Sequence, residues 1–152
     1  MTSPSTLRLG AIALLAAGLA VGAAAAPAQA SPLAVTELAH TLAVGDIVFT
    51  RIGAYPFRKV AEATGTWTNH VGIVLDVSGT EPLIGESRFP FSGTTTLSRF
   101  VARSVGGRVA VMRLQAPLTD AQKAAIVAAA AQRGHVFYDT GFDLHSHRQF
   151  CS

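Results

Sequence analysis

The sequence predicts an α+β domain, a small antiparallel sheet packed on helices. Three observations predict it. The runs GDIVFTR and NHVGIVLD, at 45–51 and 69–76, alternate with the period of a strand. NHVGIVLD is joined to LIGES at 83–87 by SGTEP, a link too short for a crossover, so the two strands are antiparallel. Segments with helical spacing separate the other strands.

Each element has its own warrant. In GDIVFTR a Gly-Asp turn opens the strand; Ile47 and Phe49 face one way, Val48 and Thr50 the other. In PFRKVAEATG, Phe57, Val60, Ala61 and Thr64 fall at i, i+3, i+4 and i+7, with Pro56 suited to the first turn and Gly65 to the stop. In NHVGIVLD, Val71, Ile73 and Leu75 share one face; His70, Gly72 and Val74 share the other. Leu97, Phe100 and Val101 predict a short helix in TLSRFVARS, broken by Gly106-Gly107, and RVAVMRL at 108–114 follows as a strand. LTDAQKAAIVAAAAQRG carries a capping box in Thr119 and Gln122, Asp120 to complement the dipole, and Gly134 to end the helix. From His135 onward the chain reads as irregular.

The first 30 residues differ from the rest. A polar start with Arg8, an apolar run at 9–26, and Pro27 before Ala28 and Ala30 form the layout of a secretory signal peptide cut after Ala30. No cysteine sits at the cut, which argues against a lipid-anchored form. The expected mature part, 31–152, is one domain. It keeps 11 of the 12 basic side chains against 9 acidic ones, with no basic run, which excludes a nucleic-acid binder on charge. After cleavage no stable membrane anchor is expected.

Cys151 is the only cysteine, so no internal disulfide forms. An odd cysteine in an exported chain points to intermolecular pairing or to a reactive thiol. A cysteine nucleophile needs a base within hydrogen-bond reach and a group that orients the base. His70, held on a strand, suits the base, and Gly72 on the same face is expected to leave open space beside the ring. Glu86, on the neighbouring strand, comes within about 5 Å of a facing residue and could orient the imidazole. The plainer readings stay open: a core histidine bound to a backbone carbonyl, and an edge-strand Glu86 paired with Arg88. His145 and His147, with Cys151 and Asp143, offer ligand types for zinc, but their spacing is unusual and no second cluster joins them. No metal or cofactor is expected.

Taken together, GDIVFTR, AEATGTWTNHVGIVLD, LIGES, YDTGFD and the final QFCS resemble the circularly permuted papain-like cysteine hydrolases of the YiiX/YebB-like kind. These are relatives of NlpC-type cell-wall peptidases and of lecithin retinol acyltransferase-like proteins. The resemblance covers 45–152. It implies a permuted papain-like fold, with His70 as base, Glu86 as orienting acid and Cys151 as nucleophile. Phe150 stands where a tyrosine is common in that family, and Tyr138 and Asp139 match its Tyr-Asp pair. Family members continue past the cysteine into a helix, so a truncated domain lacking that helix is expected. The implied function is an exported, extracytoplasmic hydrolase of amide bonds, or of esters, acting on peptide or acyl-amide substrates such as peptidoglycan. The alternatives are a non-catalytic exported binding module, an inactive fragment of such an enzyme, and a dimer linked through Cys151.

Overall fold

The computed structural model describes residues 32–141 and His145. Its centre is a five-stranded, wholly antiparallel sheet. In chain order the elements are α1 (Pro32–Thr41), β1 (Ile47–Ile52), α2 (Tyr55–Thr64), β2 (His70–Asp76), β3 (Leu83–Glu86), β4 (Gly93–Thr96), α3 (Leu97–Ala102), β5 (Ser104–Met112) and α4 (Asp120–Gln132). The strands lie in the order β4-β3-β2-β1-β5, which puts β1 and β2 in the interior.

The predicted alternation decides which face is buried. Val48 and Thr50 of β1, Val74 of β2 and Ile84 of β3 are fully enclosed on one face. Leu97, Phe100 and Val101 of α3 close over this face with Leu42, and Val35, Leu38 and Ala39 of α1 pack at its margin. Each of these larger apolar side chains stabilises the fold by about 2 kcal/mol through its removal from water. The opposite face, with Ile47, Ile73 and Leu75, is half-buried and looks toward α4 across a cavity of about 880 Å³.

The turn into β1 is held by charge. Asp46 is buried, and its carboxylate accepts from the Ala43 N–H at 2.8 Å and from Arg113 Nε and Nη2 at 2.7 and 2.6 Å. Arg113 also donates to the Thr41 carbonyl at 2.6 Å, which ties the end of α1 to the far end of β5. Gly45 enters the turn at φ 93°, a left-handed conformation that glycine adopts without strain.

Three elements depart from expectation. Helix α1 was not predicted. Strand β4 is a polar Gly-Thr-Thr-Thr segment recruited to the edge by pairing with β3. Strand β5 starts at Ser104, four residues early, and runs through Gly106 and Gly107 at φ 66° and 63° instead of breaking there. The α4 capping box forms as predicted, with the Gln122 N–H donating to Thr119 Oγ1 and the Thr119 N–H to Gln122 Oε1.

Candidate active site

His70 opens β2, and the residues before it fix its position. The Asn69 side chain pairs with both backbone groups of Ile52: the Ile52 N–H donates to Oδ1 at 2.7 Å, and Nδ2 donates back to the Ile52 carbonyl at 3.1 Å. Asn69 Nδ2 also donates to the Phe57 carbonyl of α2 at 2.8 Å. Thr68 Oγ1 donates to the Thr50 carbonyl at 2.8 Å. The loop is thereby stitched to β1 on one side and to α2 on the other, and the histidine follows from a rigid anchor.

The β2–β3 register pairs Gly72 with Glu86, so Glu86 shares a face with His70 one step along the strand. His70 Nε2 lies 2.7 Å from Glu86 Oε2, and both side chains are buried. An ionised carboxylate only accepts, so Nε2 carries the proton. Phe57 meets the imidazole edge-on at 5.8 Å between centroids, and Phe100 lies tilted against it at 5.5 Å. Among the described residues His70 Nδ1 has no hydrogen-bond partner although it is buried.

Gly72 does not leave open space beside the ring. A Cβ there would collide with Ile84 Cγ2 and reach 3.0 Å from Phe100. Core side chains fill the volume that was expected to stand open. Glycine is required because Ile84 and Phe100 approach the backbone so closely.

Sequence reasoning passed over Arg103, which caps the C-terminal end of α3. Its Nη2 donates to Glu86 Oε1 at 2.6 Å, and its guanidinium stacks over the Phe100 ring at 5.5 Å. Arg88 Nε stands further off, 3.6 Å from the same oxygen. Glu86 is thus neither an edge residue nor simply the partner of Arg88: β4 covers its strand, and His70 and Arg103 hold one oxygen each. Burial pushes its pKa up, but the hydrogen bonds from His70 and Arg103 and their charges outweigh burial and hold it below the ordinary value. The ionised carboxylate fixes the ring orientation through Nε2. The i, i+3 spacing of Phe100 and Arg103 was the available signal, but it places Arg103 at Glu86 only once α3 is known to lie across β3.

Tyr138 and Asp139 are buried next to the Arg88–Ser92 turn; the Tyr138 N–H donates to the Pro90 carbonyl at 2.9 Å, and Asp139 Oδ1 accepts from the Gly141 N–H at 2.9 Å. The structure therefore brings His70 and Glu86 together. Cys151, Asp143, His147 and Phe150 lie outside the described residues.

The described residues thus join a buried imidazole to a buried carboxylate across two strands of an antiparallel α+β sheet. The comparisons with known proteins bear on the fold and the family. The family model of permuted papain-like amidase enzymes (YaeF/YiiX, C92) matches residues 41–152, and the chain belongs to this family. Among solved structures, the fold is similar to one described as metalloprotein YiiX from Escherichia coli O157:H7, with 24% sequence identity and a TM-score of 0.64 over 71% of this chain and 59% of that one. The chain thus spans about three fifths of that protein's length. The curated proteins gave no match.

Proposed function

We propose that the chain is an exported cysteine hydrolase that cleaves amide bonds in cell-wall peptide through Cys151, His70 and Glu86. The observation that carries the reading is the 2.7 Å contact between His70 Nε2 and a buried, ionised Glu86, which leaves Nδ1 as the free basic atom. In this reading Nδ1 takes the proton of the Cys151 thiol, and the sulfur attacks the carbonyl carbon. The imidazolium then returns its proton to the departing amine, the C–N bond breaks, and a thioester remains on Cys151. Water hydrolyses the thioester and regenerates the thiol. Throughout, Glu86 holds Nε2–H and balances the positive charge on the ring, and Arg103 keeps Glu86 ionised.

The leader-like first 30 residues support export, and export supports a wall substrate. Among the described residues no helix is long and apolar enough to cross a membrane. The YiiX structure is titled a metalloprotein. Among the described residues here no three His, Cys, Asp or Glu side chains gather, and both Glu86 oxygens are occupied by His70 and Arg103. The described residues do not fit a metal centre, and no step is routed through one.

The test is incubation of the full chain with purified wall peptide fragments and, separately, with N-acyl amino-acid amides, with new amines read by mass spectrometry. Cleavage is expected in the wild type, none in Cys151→Ser, and a fall of roughly 10²–10⁴-fold in His70→Ala. Turnover that survives Cys151→Ser contradicts the reading.

A further inference from the structure

A second cavity, of about 410 Å³, opens between the 88–92 turn, the start of β4 and the turn after α4. Its described lining carries the side chains of Arg88 and His135 and no carboxylate. Two features mark it as a site for an anion.

The first is unbalanced charge. Arg88 Nε stands 3.6 Å from Glu86 Oε1, but Arg103 already meets that oxygen at 2.6 Å, and His70 takes the other. Among the described residues Arg88 has no other ion-pair partner. One carboxylate therefore faces two guanidinium groups, and the half-exposed Arg88 keeps charge to offer inside the cavity. The second feature is His135, whose backbone is left-handed at φ 60°, although Gly134, the residue suited to that conformation, stands one position earlier. Such outliers gather at ligand clamps. Ser92 fixes this one. The His135 backbone N–H donates to the Ser92 carbonyl at 3.0 Å, the Ser92 N–H to the Val136 carbonyl at 2.9 Å, and the Val136 N–H to Ser92 Oγ at 3.0 Å. The Phe91 and Phe137 rings meet edge-on at 5.6 Å across the same junction. Arg88 and His135 thus stand on segments already joined before a ligand arrives.

A planar guanidinium presents paired donors that match a carboxylate, and one such group balances one carboxylate charge. The cavity adjoins the larger apolar one beneath α4, with which it shares Gly93 and Thr94, so the rest of a guest has room to extend. We infer that this pocket binds the free carboxylate of a peptide substrate, with Arg88 as the principal donor and His135 at the rim. Its part in turnover rests on the hydrolase reading above; its binding of a carboxylate does not.

The experiment titrates the full chain with N-acetyl-L-alanine and with its neutral amide, reading the Arg88 Nε–H and His135 ring signals by NMR. The acid is expected to give saturable shifts at both positions and the amide none. Arg88→Gln is expected to weaken binding roughly tenfold or more, through loss of a charge-assisted hydrogen bond. A Cβ at Gly93 would meet nothing within 4 Å, so Gly93→Val is expected to fold normally and to weaken binding by obstructing the pocket. Equal shifts from acid and amide, or unchanged affinity in Arg88→Gln, overturn the inference. Inorganic phosphate that binds more tightly than the acid also overturns it, in favour of a phosphate site. Turnover is read separately, with wall peptides that end in a carboxylate or in an amide. Preference for the acid supports the assignment, and equal cleavage overturns its role in turnover. A chain that binds the acid but cleaves neither peptide contradicts the hydrolase reading and leaves the binding site standing.

Discussion

Glu86 is the side chain on which the described half of the site turns. It accepts from an imidazole nitrogen through one oxygen and from a guanidinium through the other. Replacing it with glutamine keeps the shape but removes the charge that meets the Arg103 guanidinium, and it sets an NH₂ against a donor unless the imidazole changes tautomer. Glu86→Gln is therefore expected to destabilise the fold by about 3 kcal/mol at neutral pH, as when one member of a buried ion pair is removed. The pH dependence follows from the depressed pKa of Glu86. Its contribution is fully present above the unfolded value, near 4.5, and is lost as pH falls through the lower folded value. The gap between wild type and variant in urea unfolding should thus be wide at pH 7 and shrink in acid. A gap that widens in acid would contradict the account. His70 and Glu86 were legible in the sequence because strand alternation and a tight connection fix which residues share a face. Arg103 was not, because its reach depends on where a short helix lands.

Between elements, the clamp of Asp46 on Ala43 and Arg113 joins α1, β1 and β5. Burial alone would raise the Asp46 pKa; the Arg113 hydrogen bonds, the Ala43 N–H and the Arg113 charge together hold it below the usual range. Asp46→Ala removes the acceptor for the Ala43 N–H and is expected to cost about 3 kcal/mol, whereas Asp46→Asn, which keeps an acceptor, should recover part of that loss. Equal midpoints for the two variants in thermal unfolding would contradict this. Strands β1 to β3 were legible because apolar alternation is strong there. Strand β4 was not, because Gly93, Thr94, Thr95 and Thr96 show no apolar alternation and the segment is a strand only by virtue of β3 beside it. Gly106 and Gly107 read as a break; in the structure their positive φ values bend a strand that β1 continues to hold. Helix α1 went unread, although Val35, Leu38 and Leu42 fall at i, i+3 and i+7 and reach the core.

Across the whole molecule, the two faces of the sheet have different roles. The face closed by α1 and α3 holds the dense core and also His70, Glu86 and Thr50. The other looks into the cavity beneath α4, a helix with no buried residue. The strongest helix pattern in the sequence thus contributes little to the core, while the site depends on the weaker α3 pattern. The His70–Glu86 pair is built into the buried layer, a placement that suits the base role proposed for His70, whose geometry must be held closely. The family was legible from motifs scattered over 45–152, because the residues that set the His70 geometry are short-range and strand-bound. The central claim joins His70 to Cys151, and the rate of Cys151 alkylation by iodoacetamide as a function of pH tests it most directly. The account predicts rapid labelling in wild type well below the ionisation of a free thiol, at about pH 8.5, and loss of that acid-side reactivity in His70→Ala. Labelling that rises only with free-thiol ionisation, and is the same in both proteins, would contradict it.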